Sequence, residues 1–186
     1  MKKSILLALL VLMPVSAWAH PGHAGSGLWS GFIHPFSGLD HILAMIAVGV
    51  WAARNTGKKF WLPPAAFLAG MIGGGLLGFE GLQPTFMESA IAASALAAGL
   101  LATLAMRLPL AAQAAIAALF AVWHGIAHGM ELPVATAPQT YVIGFLAATA
   151  LLLSTGLVLG KVLQRANRDR WLGAGMTALA ATLFLS

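Results

Sequence analysis

A chain of 186 residues that is 60% hydrophobic and 8% charged, with a mean hydropathy of +0.88, falls far outside the range of soluble globular domains. Its net charge of +5 would suit a nucleic acid, but the basic residues are distributed among short loops in a way that fits membrane orientation, so no nucleic-acid partner is expected. With no cysteine there is neither a disulfide framework nor a thiolate metal site, and any metal ligands must be nitrogen and oxygen. The fold class that follows is all-α: a polytopic transmembrane helix bundle with the lipid bilayer as its solvent.

At the start of the chain Lys2 and Lys3 precede the apolar run ILLALLVLM, then Pro14 and Ala17-Trp18-Ala19. A basic segment, a short apolar segment and an A-x-A site predict a cleaved signal peptide over 1–19, too short to be a span. Residues 20–186 then form one transmembrane domain that begins HPGH in the periplasm. His20 would offer an α-amine and an imidazole, with His23 close by. Pro21 lacks the N–H that an amide-type clamp needs, so these two are the weaker candidate ligands, on a terminus that reads equally well as solvated.

Six apolar stretches follow, near 32–53, 60–79, 86–106, 109–130, 140–160 and 171–185, the last short for a full span. With a periplasmic mature N-terminus the loops alternate. Arg54, Lys58, Lys59, Arg107, Lys161, Arg165, Arg168 and Arg170 then all fall on the cytoplasmic side, while Glu80, Glu88 and Glu131 fall outside. The expected location is therefore the bacterial inner membrane, crossed six times.

Two constellations break the apolar pattern. HPFSGLDH, His34 to His41, opens the first span. A helix beginning near Pro35 would leave His34 at the mouth and carry Asp40 and His41 a turn or more inside. WHGIAHGME closes the fourth span: His124 and His128 share a helix face, with Glu131 near it as a weaker candidate ligand. The fourth helix runs outward and the first inward, so His124, about 10 Å below its outer end, reaches the depth of Asp40 and His41. A single buried histidine can simply bond a carbonyl or a neighbouring helix. Four ionisable groups at one depth point instead to a pathway or a ligand, and one ion held by His41, Asp40 and at least one of His124 and His128 is expected. Met45, Met71 and Met130 read as packing. In the second span Gly70, Gly74 and Gly78 make a side-chain-free ridge for close helix approach, with Gly125 and Gly129 as a matching surface.

HPFSGLDH resembles the first-helix signature of the HupE/UreJ family, membrane accessory proteins associated with nickel hydrogenases and ureases. The leader, the HPGH start, the six-span plan and WHGIAHG resemble that family across essentially the whole chain. The resemblance implies a secondary permease for nickel, with cobalt as the alternative, that serves hydrogenase or urease maturation indirectly. It puts His34, Asp40 and His41 first among the site residues and His124 and His128 second. Five residues separate His34 from Asp40 here, where the similar motif of larger nickel/cobalt permeases has four.

The chemistry fits apart from the resemblance. Imidazole suits nickel, copper, zinc and cobalt, and one carboxylate offsets part of a divalent charge. No Walker-type loop is present, so ATP hydrolysis by this chain is not expected, and neither is a permanently bound cofactor or an enzyme activity. The divalent ion is the expected small-molecule partner, and assembly as a homo-oligomer stays open. Other readings use the same ligands: a membrane metal-binding accessory or sensor that does not transport, an intramembrane zinc hydrolase, and a b-type cytochrome.

Overall fold

In a computed structural model of the protein, residues 27–132 and 138–185 are described, and every regular element among them is helical. The leader, His20 and His23 lie outside the described residues. The first apolar stretch is not one continuous helix. It is divided into α1 (Gly27–Ile33), a 3₁₀ turn (His34–Phe36) and α2 (Leu39–Ala52), with a 78° bend across the break. Ser37 closes the turn, its N–H and hydroxyl both donating to the His34 carbonyl at 3.0 and 2.6 Å. Gly38 is then extended (φ −111°, ψ 125°) and its carbonyl accepts the first α2 hydrogen bond, from Ile42 N–H. Asp40 and His41 consequently stand in the first turn of α2, not a turn or more inside a helix begun at Pro35. An added Cβ at 38 would lie 2.6 Å from both Asp40 Oδ1 and His41 Nδ1 and would displace those two side chains.

After a 3₁₀ turn at Gly57–Trp61 come α3 (Leu62–Phe79), α4 (Met87–Leu104), α5 (Leu110–Met130), α6 (Pro138–Gln164) and α7 (Asp169–Leu185). Four segments, Lys59–Phe79, Met87–Leu104, Leu110–Met130 and Pro138–Gln164, are long and apolar enough to cross a membrane. The bent α1–α2 pair makes a fifth if taken as one broken span. With 17 residues, α7 stops just short of that length.

Glycines weld the helices in pairs. The most extensive contact is between α3 and α5, which run parallel. A Cβ added at Gly70, Gly74 or Gly78 would come within 2.4 Å of the carbonyl oxygen of Ala118, Val122 or Ile126. Gly125 and Gly129 make the reciprocal approach to Met71 and Gly75. In the same way Gly49 and Gly156 join α2 to α6, Gly31 and Gly144 join α1 to α6, and Gly99 and Gly173 join α4 to α7. Backbone contact of this kind replaces the hydrophobic drive that lipid removes. The glycine seams group the helices as α1–α2–α6, α3–α5 and α4–α7, and α2 also packs along α4.

The ridge yields a paired prediction. Gly74→Ala must push α3 off α5 and should destabilise by about 1–3 kcal/mol, the usual cost of overpacking. A Cβ at Gly73 meets nothing within 4 Å. Gly73→Ala should therefore be neutral, or stabilising by up to about 1 kcal/mol through helix propensity. Thermal unfolding in detergent checks this, and equal effects at the two positions would show that the α3–α5 seam is not packed as described.

Charge is polarised along the bundle. Arg54, Lys59, Arg107, Lys161, Arg165, Arg168 and Arg170 occupy the end where α2 finishes and α5 and α7 begin. The Arg54–Asp169 ion pair and Lys161 over the Phe60 ring, 4.1 Å from its centroid, tie the loops there together. Asp40, Glu80, Glu88 and Glu131 lie at the opposite end, with the histidines.

Candidate metal centre

The two histidine motifs meet because α2 and α5 run antiparallel. His41 packs against His124 and His128 at one end of the seam, and Asn55 bonds Gln113 at the other. At the histidine end the imidazoles form a column. His34 lies 4.7 Å from His128 between ring centroids, His128 lies 4.6 Å from His41, and His41 lies 5.0 Å from His124. A carboxylate flanks each half. Glu131 Oε2 is 3.2 Å from His34 Nε2 and 3.9 Å from His128 Nδ1; Asp40 Oδ1 is 2.7 Å from His41 Nδ1. The two ends of the column differ in exposure: the side chains of Glu131 and His34 are 60% and 29% exposed, and His124 is wholly buried.

Hydrogen bonding fixes which nitrogens are free. The Phe120 carbonyl can only accept, so His124 Nδ1 donates to it at 2.9 Å and the neutral ring carries its lone pair on Nε2. Asp40 likewise accepts from His41 Nδ1, and from the His41 backbone N–H at 2.9 Å, leaving the His41 lone pair on Nε2. Neither Nε2 has a hydrogen-bond partner, nor does either ring nitrogen of His128, though all four are buried. Leaving a buried polar atom unpaired costs about 1–3 kcal/mol, so four together in one place call for a ligand. The outer part of the column offers a second grouping: one ligand atom each from His34, His128 and Glu131 lie within 4.8 Å of one another. That is wider than the roughly 3.4 Å edge of a tetrahedral site with 2.0–2.1 Å bonds, so a small side-chain rotation would close it.

Asp40 stands behind His41 rather than facing the free nitrogens. A carboxylate on the far nitrogen of an imidazole is the usual way a ligand's tautomer and ring orientation are set. Glu131, the weaker candidate in the sequence, reaches both His34 and His128, and those two imidazoles hold its carboxyl well below the usual carboxylate range. It is therefore an anion throughout the neutral range, at the exposed mouth of the column. Glu88 does not touch the imidazoles but lines a cavity with Asp40 and Leu39. Sequence reasoning missed the aromatic frame. Phe145 lies 4.3 Å from His128 and Tyr141 lies 5.9 Å from His34, both on α6, while Phe67 of α3 lies 6.1 Å from His124. Their only signal was an aromatic on the inward face of an apolar helix, which ordinary core packing also produces.

Several membrane-length apolar helices, with an ionisable cluster gathered at one end, define a multi-pass membrane protein. Residues 7–183, which include both histidine motifs, match the HupE / UreJ protein family, and the chain belongs to that family. It is similar to Protein HupE of Rhizobium leguminosarum bv. viciae, with 42% identity over 189 residues, covering 99% of this chain and 97% of the relative. No solved structure matches the chain.

Proposed function

We propose that the protein is a secondary permease for a divalent transition-metal ion, nickel first and cobalt second, that supplies metalloenzyme maturation. The ion passes from the periplasm to the cytoplasm across the inner membrane. The bent α1–α2 pair and α7 count as spans, which gives six crossings after a cleaved leader. The orphaned nitrogens of His41, His124 and His128 carry this reading. They are neutral-imidazole ligands that suit these borderline metals, set between two carboxylates that offset the ion's charge.

The ion would first meet Glu131, His34 and His128 at the exposed mouth. It would then pass to the buried Nε2 atoms of His41 and His124, exchanging hydration water for imidazole in steps of about one ring spacing. A divalent ion falling through the membrane potential gains about 4.6 kcal/mol per 100 mV, so inward movement needs no nucleotide.

A second reading, a metal-binding accessory that does not transport, is favoured by the packed apolar stretch of α2 below the column. Uptake of radiolabelled nickel into vesicles of purified protein separates the two. Asp40→Asn keeps the side-chain size but loses the charge that orients His41, and it should cut metal affinity about 10–100-fold, with uptake falling in step. Wild-type uptake from an Asp40→Asn protein at equal membrane level would remove Asp40 from the site.

A further inference from the structure

The seam between the α1–α2–α6 body and the α3–α5 body carries polar groups at both ends, and only one end has been accounted for. Between them α2 is sealed. From Leu43 to Ala53 every residue but Ile46 is buried and all are apolar or glycine. At 1.5 Å per residue this places about 15 Å of packed helix between His41 and Trp51. No divalent ion crosses such a stretch without hydration or ligands.

At the basic end the packing gives way to a set of polar links, all made by α2 or the residues just after it. Asn55 and Gln113 exchange two amide hydrogen bonds, Asn55 Nδ2 to Gln113 Oε1 at 2.8 Å and Gln113 Nε2 to Asn55 Oδ1 at 3.1 Å. Gln113, only 4% exposed, also donates to the Leu108 carbonyl at 2.8 Å. The Trp51 indole N–H donates to the Met106 carbonyl at 2.9 Å, and Arg54 pairs with Asp169, itself 4% exposed. Beyond them is a cavity of about 260 Å³ walled by Trp51, Asn55, Arg107 and Gln113. These links join the first body to each of the other two: Asn55–Gln113 to α3–α5, and Trp51–Met106 and Arg54–Asp169 to α4–α7.

Two features mark the links as releasable. Buried polar and ionic pairs add little net stability over apolar packing of the same shape, so a permanent seal is better made from hydrocarbon. In addition, α2 touches α5 only sparingly, whereas it is joined to α6 backbone to backbone through Gly49 and Gly156. The body that carries His34, Asp40 and His41 is thus internally welded; it packs along α4, but meets α5 only sparingly, and side chains at its two ends make the polar fastenings to α5.

Building on the permease reading, we propose that Asn55–Gln113, with Trp51–Met106 and Arg54–Asp169 beside it, is a latch that closes the inner end of the route. Release of the ion requires the α1–α2–α6 body to part from α5 and α7 there, opening the α2 stretch to the cavity. The histidine column and the latch are the outer and inner fastenings of one seam, and the ion bridging His41 to His124 holds the outer one shut while the inner one opens.

The absence of native cysteine allows a direct test. Asn55→Cys/Gln113→Cys protein in vesicles is treated with a short bifunctional methanethiosulfonate. Nickel uptake is measured in the vesicles, and nickel binding by equilibrium dialysis in detergent. Cross-linking should cut uptake at least tenfold, leave binding within twofold, and be reversed by a thiol reductant, while a monofunctional reagent does neither. Cross-linked protein that transports at the uncross-linked rate overturns the latch. A wild-type protein that binds nickel but never transports it overturns the permease reading, and the latch with it. Should the double variant not fold, Ala47→Cys reports on the sealed stretch. A membrane-impermeant maleimide applied from the basic end should label it at least tenfold faster when Gln113→Ala is also present, and equal rates overturn the proposal.

Discussion

Replacing either His41 or His124 with alanine should reduce nickel uptake at least 100-fold, and the double variant should be no worse than either single one. Their rings lie 5.0 Å apart on antiparallel helices. Each is oriented by its Nδ1–H, which donates to Asp40 in one case and to the Phe120 carbonyl in the other, so both free Nε2 atoms serve the buried part of the column. Two ligands of one ion act as a unit: removing the first leaves a lone imidazole that cannot replace a hydration shell, and removing the second takes nothing more away. His34→Ala, at the exposed mouth, should be milder, about tenfold, because Glu131 and His128 remain to attract and hold the ion. Initial rates normalised to folded protein in the membrane decide the matter. If the losses at 41 and 124 multiply, the two residues serve separate sites.

Much of this site was legible because membranes make polar residues conspicuous. In a chain that is 8% charged, HPFSGLDH and WHGIAHGME stand out by composition, and opposite helix directions put them at one depth without any tertiary information. The glycine ridge was readable for the same reason, since Gly70, Gly74 and Gly78 fall on one helix face and meet α5. The break at 34–38 was not. Pro35 is compatible with the start of a helix, and only Ser37 folding back on the His34 carbonyl, with Gly38 extended, shows that the start lies at Leu39. With that start, Asp40 stands in the first turn of α2, and its carboxylate accepts from His41 Nδ1. Glu131 was undervalued because its position seven residues from His124 says nothing about His34, which belongs to another helix. The latch was invisible: Asn55 and Gln113 are 58 residues apart, Arg54 and Asp169 are 115 apart, and no local motif marks either pair. Periodicity finds faces. It does not find which side chains on two faces will exchange hydrogen bonds.

Acidifying the outer solution should reduce uptake steeply, and the sign follows from competition for the same lone pairs. Metal binds the neutral imidazole and a proton excludes it. A proton on a ligating nitrogen takes the lone pair the ion needs, so uptake falls as the outer solution is acidified. Glu131 cannot be the titrating group. Its carboxyl is held below the usual carboxylate range, so its stabilising contacts are intact above that range. They are lost only as the pH falls through the lowered value, well under this window. Glu131→Gln should accordingly lower uptake at every pH while leaving the steepness unchanged. The measurement is initial nickel uptake into vesicles from pH 7.5 to 5.5, with an ionophore collapsing the proton gradient so that coupling does not distort the profile. A flat curve under those conditions would overturn proton–metal competition at the column.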